Sequence, residues 1–373
     1  MNWPTQKLET VADFCLGKML DQKKNRGEHL PYLANVNVRW GEFDLADLRE
    51  MRFEQHELDR YGLKYGDIVM CEGGEPGRCA IWKEQHSSMM IQKALHRIRP
   101  HDCLRPEFLY YFFLHKGRTG HLASLFTGST IKHLPREKLA LVEVPLPPRS
   151  AQDQIASVLS AYDDLIENNR RRIQLLEQAA RLLYKEWFVH LRFPGQEHTQ
   201  IIDGVPEGWE KKPLGSIAPL KYGKALKNDD RVPGPFPVYG SSGIIGTHIK
   251  AFVPSPTIIV GRKGNVGSVY WSPDDCHPID TVYYIDSGNC SFFLYYALQQ
   301  MTFISTDVAV PGLNRDFAHS RSMLVAGQKI HRLFEETVSP LHQQMELLKR
   351  QNTSLADARD LLLPKLMNGE VAL

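Results

Sequence analysis

Two long stretches of the chain carry the same regular spacing of apolar residues, and this feature limits the possible folds more than any other. The spacing alternates between steps of four and three residues, and the second stretch repeats the first: Leu159 and Phe334 are 175 residues apart. Such a pattern is typical of a helix that packs along another helix. We call these positions the helix seam; they are Ile155, Leu159, Tyr162, Ile166, Asn169, Ile173, Leu176, Ala180, Leu183 and Trp187, and then Ile330, Phe334, Thr337, Leu341, Gln344, Leu348, Gln351, Leu355, Ala358 and Leu362.

The prolines predict where the two helices end. Two prolines at 147–148 cannot continue a helix towards the amino terminus, so the first helix is predicted to start near Ser150, with Asp153 completing a capping box. In the second helix, Pro364 predicts the end, and Pro340 either kinks the helix or starts its main part.

An isolated helix of this kind cannot bury its own seam, so each helix needs a partner. The partner in the same chain is the other helix, which predicts an antiparallel pair that acts as a rigid ruler between two globular domains. Asn169 and Gln344 hold the same seam position. A buried amide there fixes the register of the helices, or else the two amides face a wetter part of the seam.

The segments before the two helices also resemble each other, because four short patterns recur in the same order. They are Trp3 and Leu8 with Trp209 and Leu214, Ile68-Val69-Met70 with Ile258-Ile259-Val260, Phe108-Leu109-Tyr110-Tyr111 with Phe293-Leu294-Tyr295-Tyr296, and Leu134-x-Arg136 with Leu313-x-Arg315. We predict a mixed α+β fold in which two similar α/β domains are separated by two long antiparallel coiled-coil helices with pseudo-twofold symmetry. The predicted segments are domain one at 1–149, the first helix at 150–192, a linker and domain two at 193–326, and the second helix with its tail at 327–373.

Composition excludes several classes of protein. The net charge is +2, from 45 basic and 43 acidic residues, whereas a nonspecific polyanion binder is far more basic. The six cysteines are scattered without the spacing of a zinc site, which is expected of thiols in a reducing cytoplasm. No long apolar run predicts a membrane span, and the amino terminus lacks a secretory signal. We therefore expect a cytoplasmic protein without a metal site.

The sequence resembles the specificity (S) subunits of type I restriction–modification systems over essentially its whole length. The resemblance rests on Val144-Pro145-Leu146-Pro147-Pro148, Gln154-Ile155-Ala156, Leu165-Ile166-Glu167-Asn168-Asn169, Leu182-Leu183-Tyr184-Lys185-Glu186-Trp187-Phe188, Gly204-Val205-Pro206-Glu207-Gly208-Trp209, Phe236-Pro237-Val238-Tyr239-Gly240-Ser241-Ser242-Gly243, Gly261-Arg262-Lys263-Gly264-Asn265-Val266-Gly267 and Leu362-Leu363-Pro364-Lys365-Leu366-Met367-Asn368-Gly369-Glu370. Domain one departs from the family pattern, since Cys71-Glu72-Gly73-Gly74 stands where the basic Gly-Arg-Lys-Gly form is usual. This departure counts against phosphate contact by that loop.

The resemblance implies that the two domains are target-recognition domains, each reading one half of a bipartite site in double-stranded DNA, and that the helices set the spacer. It also implies assembly with two methyltransferase (M) subunits that modify adenine N6 and with restriction (R) subunits. The chain itself is then non-catalytic and holds no cofactor, while S-adenosylmethionine, ATP and Mg²⁺ are expected on the partner subunits. The sequence agrees, because it contains neither a P-loop nor an Asn/Asp-Pro-Pro-Tyr/Phe motif.

Loop residues with donor groups are the candidates for DNA contact, since phosphate contacts set position and base contacts give specificity. In domain two they are Lys221, Lys224, Tyr239, Ser241, Ser242, Arg262, Lys263, Asn265, Asn314 and Arg315, and in domain one Lys23, Lys24, Arg26, Ser129, Thr130, Lys132 and His133. The alternative for each is a structural turn or a solvated basic surface. The aromatic run at 108–113 is expected in the core, and Arg170-Arg171-Arg172 on a solvated helix face.

Three other functions stay open. The chain could be a coiled-coil scaffold that binds protein, which predicts no sequence-selective, salt-dependent DNA binding. It could serve a related type II-like restriction–modification system. It could also be a free-standing nuclease or methyltransferase with diverged motifs, which the purified chain would reveal by cleaving or methylating DNA.

Overall fold

The computed structural model describes residues 3–21, 25–303 and 312–371. The chain forms two compact units. Unit 1 consists of residues 1–169 and 350–373, and unit 2 consists of residues 170–349. Each unit therefore combines one predicted recognition domain with parts of both long helices. The four-segment division given above stays a prediction.

Unit 1 begins with a domain of short strands and helices. In chain order these are β1 (Thr5–Lys7), α1 (Leu8–Val11), β2 (Ala12–Leu16), β3 (Glu28–Leu33), β4 (Val38–Arg39), β5 (Glu42–Phe43), β6 (Arg49–Phe53), α2 (Leu58–Tyr61), β7 (Ile68–Cys71), β8 (Cys79–Ile81), β9 (Met90–Ile91), β10 (Leu95–Pro100), α3 (Pro106–Arg118), α4 (Arg136–Ala140) and β11 (Glu143–Pro145). The first long helix, α5, spans Arg149–Tyr184 and continues into a π-helical turn at Lys185–Val189.

Unit 2 contains the second domain. Its elements are β12 (Ile201–Ile202), β13 (Val205–Pro206), β14 (Glu210–Pro213), α6 (Leu214–Ile217), β15 (Lys221–Tyr222), β16 (Phe236–Gly240), β17 (Gly243–His248), β18 (Thr257–Gly261), β19 (Val269–Ser272), β20 (His277–Pro278), β21 (Val282–Ile285), α7 (Phe292–Gln300), α8 (Arg315–Ser320) and β22 (Ser322–Val325). The second long helix, α9, spans Gln328–Met367.

The two domains share one topology. Domain one has a four-stranded antiparallel sheet in the order β2-β10-β7-β8, and domain two has β15-β21-β18-β19. A three-stranded sheet accompanies each, β6-β3-β9 and β17-β16-β20, in which the last pair is parallel. A two-stranded ribbon joins an early strand of each domain to its last strand, β1-β11 and β14-β22. The duplication in the sequence is thus a duplication of structure.

The cores form where the sequence is continuously apolar. All four residues of β7 and all five of β18 are buried, because each central strand is covered on both faces. The aromatic run at 108–113 is buried throughout α3, as predicted. Pro106 occupies the first turn of that helix, where the missing N–H costs no hydrogen bond.

The start of α5 differs from the prediction. The helix begins at Arg149, and the Pro148 carbonyl already accepts the N–H of Gln152 (3.1 Å), so Ser150 lies inside the first turn and cannot cap it. The side chain of Gln152 organises this end instead. Its amide donates to the carbonyls of Pro147 and Cys103 (both 3.0 Å), and its oxygen accepts the N–H of Arg105 (2.8 Å).

The end of α9 also differs, because the helix continues through Pro340 and past Pro364 to Met367. Leu363, Leu366 and Met367 pack into the core of domain one, and this burial compensates for the hydrogen bond that Pro364 cannot make. Gly369, with a φ of 67°, follows the helix, as is typical of a helix C-terminus.

The predicted seam positions differ in burial. Its buried members are Ile155, Leu159, Ile166, Asn169, Ala180, Trp187, Phe334 and Leu348; its half-buried members are Tyr162, Ile173, Leu176, Leu183, Ile330, Leu341, Gln344, Leu355, Ala358 and Leu362; and Thr337 and Gln351 are exposed. Val338 and Arg359, which follow Thr337 and Ala358 by one residue, are more deeply buried than those predicted positions.

Within unit 1 the two helices run antiparallel. In unit 1 the Asn169 amide donates to the Asn352 side chain (3.0 Å), while Ile155 and Leu159 share a core cluster with Leu363. The amide partner of Asn169 is thus Asn352, and Gln344, which holds the equivalent seam position on α9, is half-buried. No helix in the described part of the chain is both long and apolar enough to cross a membrane.

Candidate nucleic-acid interface

The loop after the central strand has the same backbone structure in both domains. After β7 the Gly77 N–H donates to the Cys71 carbonyl (2.9 Å), and after β18 the Gly267 N–H donates to the Gly261 carbonyl (2.9 Å). We call residues 72–77 the β7 loop and residues 262–267 the β18 loop. A glycine of each, Gly77 and Gly267, has a positive φ of 88° and 79°, a conformation that strongly favours glycine.

A second loop joins this frame in each domain. The Leu134 N–H donates to the Glu72 carbonyl in domain one, and the Leu313 N–H donates to the Arg262 carbonyl in domain two (both 2.8 Å). The carbonyl of each leucine also accepts a hydrogen bond from a side chain of the central sheet. His96 Nε2 lies 2.8 Å from the Leu134 oxygen.

The corresponding group in domain two is the Tyr283 hydroxyl, which donates to the Leu313 carbonyl (2.9 Å). Burial lowers the pKa of His96, so its ring is held neutral and its Nε2–H donates to a carbonyl that only accepts. Two loops in each domain are therefore fixed side by side at the edge of the sheet.

The side chains on this common frame differ between the domains. In domain one, Glu72 lies 3.2 Å from His133 Nδ1, so the predicted DNA-contacting histidine has an acidic partner. The neighbouring residues Ser129, Thr130 and Lys132 are exposed on a tight turn. The β7 loop of domain one is thus acidic, as the sequence indicated.

In domain two the same position is Arg262. Its guanidinium lies over two rings, 5.0 Å from the centroid of Tyr222 and 5.7 Å from that of Tyr283, and donates to the Asp280 carbonyl (3.1 Å). Arg315 lies 5.1 Å from the Tyr222 centroid. Lys263 and Asn265 are exposed on the β18 loop.

Tyr239 and Asn314, two of the predicted DNA contacts in domain two, have structural roles. Tyr239 is 5% exposed and packs in the core with Val253 and Ile259, and burial raises its pKa. Because β16 turns the ring inward, its side chain is not exposed at this surface, and its contact with DNA stays a prediction. Asn314 caps α8, accepting the N–H groups of Asp316 and Phe317 (2.8 and 3.0 Å).

Ser241 supports the β18 loop rather than standing free. Its hydroxyl accepts the Asn265 N–H (3.4 Å), and its carbonyl accepts the Ser268 hydroxyl (2.6 Å). Ser242 beside it is exposed.

Lys221 forms an ion pair with Asp286, and this bond lowers the pKa of the Asp286 carboxyl. Lys224 extends over the ring of Phe252, with Nζ 5.9 Å from the centroid. Arg26 is exposed in domain one. Lys23 and Lys24 lie outside the described residues.

Tyr222 is the site residue that the sequence interpretation missed. It stands between two lysines in Lys221-Tyr222-Gly223-Lys224, which drew attention to charge rather than to the ring. In the structure it is 47% exposed. The signal available in the sequence was an aromatic residue inside a basic segment.

One group of metal-ligating side chains occurs among the described residues, formed by Glu54, His56 and Glu57. Glu57 already accepts from the Lys18 ammonium (2.5 Å) and from the Glu54 N–H (2.9 Å). The Glu57 carboxylate of this cluster is therefore already engaged in hydrogen bonds within the protein.

Known proteins match this chain along its length. The family model "Type I restriction modification DNA specificity domain" matches residues 2–178 and 206–317. The MjaIX specificity subunit of Methanocaldococcus jannaschii is 24% identical and the alignment covers 99% of this chain and 94% of that relative. The HindI specificity subunit of Haemophilus influenzae is 22% identical over 83% of this chain and 87% of its own length.

Structural comparison agrees. The crystal structure of a type I restriction–modification S subunit from M. genitalium has a TM-score of 0.57 and 20% identity, covering 98% of this chain and 96% of that one. This likeness supports the predicted fold class of two similar α/β domains with long helices; the pseudo-twofold axis stays a prediction. Because the family model covers most of the chain and both domains, the chain belongs to the type I restriction–modification DNA specificity family.

Proposed function

We propose that this chain is the DNA-sequence-specificity subunit of a type I restriction–modification complex, in which each recognition domain reads one half of a bipartite site. The observation that carries the proposal is that one loop frame occurs twice with different side chains. The same backbone position holds Glu72 in domain one and Arg262 in domain two. A shared scaffold with opposite charges at one position is suited to reading two different half-sites.

The exposed groups on this frame have the chemistry for such reading. Arginine donates two parallel hydrogen bonds to a guanine edge, whereas asparagine donates one hydrogen bond to adenine N7 and accepts one from the adenine N6 amino group. Arg262 and Asn265 lie in one loop, with Lys263 between them for phosphate contact. The small net charge of +2 means that partner subunits contribute part of the affinity for DNA.

The chain acts as a non-catalytic component in this proposal. Two methyltransferase subunits and the restriction subunits supply the chemistry and hold S-adenosylmethionine, ATP and Mg²⁺.

Exposed leucines on α5 support docking of a partner: Leu175 and Leu182 are 56% and 59% exposed and lie two turns apart on one face. Both long helices contain residues of both units, which supports their role in setting the spacer.

Methylation mapping tests the proposal. We expect a strain that carries this gene and its partner genes to show a bipartite methyladenine motif by single-molecule sequencing of its DNA. Deleting this gene should abolish methylation at that motif, and returning it should restore the same motif. If the deletion strain keeps every methylated motif of the parent, the proposed function is wrong.

A further inference from the structure

We infer that Tyr222 is a positioning residue that holds the guanidinium groups of Arg262 and Arg315 for contact with DNA in the second half-site. The inference rests on the proposed function and adds to it a specific group of three residues. We call Tyr222, Arg262 and Arg315 the arginine clamp.

The geometry places one exposed ring against two cations. The guanidinium carbons of Arg262 and Arg315 lie 5.0 and 5.1 Å from the centroid of Tyr222, well inside the 6 Å range of a cation–π interaction. Tyr222 is itself held by Tyr283, with the two ring centroids 5.1 Å apart in an edge-on contact. The ring is therefore fixed from the sheet, and it fixes the arginines in turn.

Backbone hydrogen bonds join the segments that carry the arginines. The Leu313 N–H donates to the Arg262 carbonyl (2.8 Å), and Arg315 begins α8 two residues later. Arg262 also donates to the Asp280 carbonyl (3.1 Å). A guanidinium held in this way loses little freedom on binding, so its donors are prepared for an acceptor.

The charges of the clamp are left for a ligand. Among the described residues, no carboxylate lies within 4 Å of either guanidinium, whereas the adjacent Lys221 is paired with Asp286. Two cations that share one aromatic ring repel each other, so a group that offers electron pairs to both stabilises the arrangement. Phosphate oxygens and the guanine O6/N7 edge are the two such groups on DNA.

Among its described residues, domain one repeats only one contact of this kind: the guanidinium of Arg136, which matches Arg315 in sequence, lies 5.0 Å from the centroid of Phe14. The strand register pairs Tyr222 with Tyr283 in domain two and Leu16 with His96 in domain one. At the position of Arg262, domain one has Glu72, which is close to His133. The clamp therefore belongs to domain two, and its loss should affect only the half-site that domain two reads.

The test uses the intact system in cells. Tyr222→Leu and Tyr222→Phe are placed in an inducible copy of the gene, in a strain that lacks the original gene and retains the partner genes. The fraction of methylated sites is then followed over time by single-molecule sequencing. Tyr65→Leu is the matched control, because Tyr65 is an exposed tyrosine (61%) of domain one outside every predicted contact.

We expect Tyr222→Leu to slow methylation about five- to tenfold, since it removes two cation–π contacts, while Tyr222→Phe and the control stay near the wild-type rate. If methylation is slowed equally at all sites and the recognised motif is unchanged, the clamp contacts phosphate. Relaxed choice at one position of a single half-site indicates a guanine edge. Either result supports the clamp.

Three results would overturn the inference. They are a wild-type rate and motif in Tyr222→Leu, an equal defect in Tyr222→Phe, and relaxed choice in both half-sites. If Tyr222→Leu does not fold, the double variant R262Q/R315Q must show the same defect, and wild-type behaviour of that variant refutes the clamp. A wild-type gene that installs no bipartite methylation would instead contradict the proposed function, so the two failures are distinguishable.

Discussion

A buried arginine holds the helices of unit 1 together. Arg359 on α9 is 8% exposed and forms ion pairs with Asp163 on α5 and with Asp360 (2.9 Å). Asp163 also accepts the hydroxyl of Tyr111 from α3 (2.7 Å). Three helices therefore meet at one carboxylate, and the network has a partner for each of its charges.

Removing the arginine alone should be costly. We expect Arg359→Ala to lower the unfolding free energy of unit 1 by about 2–3 kcal/mol, somewhat less than for a fully buried pair, because it leaves the half-buried Asp163 without its cation. The double variant R359M/D163L should recover most of that loss. Urea denaturation measures both, with Arg332→Ala as the control, since Arg332 and Glu336 form an exposed pair whose loss should cost less than about 0.5 kcal/mol. Equal effects of Arg359→Ala and Arg332→Ala would contradict the role of the network.

The sequence located the helices but not this network. The four–three spacing selects Tyr162 and Ala358, each one residue before the members of the ion pair. Because a helix turns 100° per residue, the residue next to a seam position is also partly covered. A search for regularly spaced apolar residues does not detect a charged pair at such neighbouring positions. The burial of Tyr239 was missed for the opposite reason, because a tyrosine beside Gly-Ser-Ser resembles a polar loop residue in the sequence. Only the pairing of β16 shows that its ring is buried.

At the scale of elements, α7 docks on α9 through a buried histidine. His342 stacks on Phe292, with ring centroids 4.0 Å apart, and its Nε2 lies 2.8 Å from the Tyr296 hydroxyl. Glu335 holds the start of α7, accepting the N–H groups of Phe292 and Phe293 (3.0 and 2.8 Å). The duplicated Phe-Leu-Tyr-Tyr pattern thus predicted a core helix correctly. It could not predict the polar contacts of that helix, because these come from Glu335 and His342 on α9.

This contact should make the stability of unit 2 depend on pH. Burial lowers the pKa of His342 to about 4, from an ordinary value of 6.5. Between these values the unfolded chain binds a proton that the folded chain does not, so stability falls as the pH falls from 6.5 towards 4. We expect this histidine to contribute a loss on the order of 2–3 kcal/mol across that window.

The measurement is the difference in unfolding free energy between the wild type and His342→Phe at a series of pH values. Other groups titrate equally in both proteins, so the difference isolates the histidine. We expect the difference to be constant above pH 7 and to shift in favour of the phenylalanine variant as the pH is lowered. His198→Phe is the control, because His198 is exposed. A difference that does not change with pH would show that His342 is protonated without penalty in the folded protein.

At the scale of the whole molecule, the proposed function assigns the spacer of the DNA site to the two long helices. Both helices are continuous over their length, and both contribute residues to each unit. Residues 170–176 and 345–351 are one heptad of each, separated by the same 175 residues as Leu159 and Phe334. Removing both heptads keeps the seam in phase and leaves the Asn169–Asn352 hydrogen bond in place.

We expect the double deletion to shorten the recognised spacer while both half-sites keep their sequences. One heptad is about 10 Å of helix, at about 1.5 Å per residue. That length corresponds to roughly three base pairs, at about 3.4 Å each. Methylation mapping reads the new motif directly. Deletion of one heptad from a single helix keeps the seam in phase but leaves the two paired helices unequal in length, so it is the control that should abolish methylation. An unchanged spacer in the double deletion would refute the ruler role and leave the two readers intact, because half-site identity depends on the loops and the spacer on the helices.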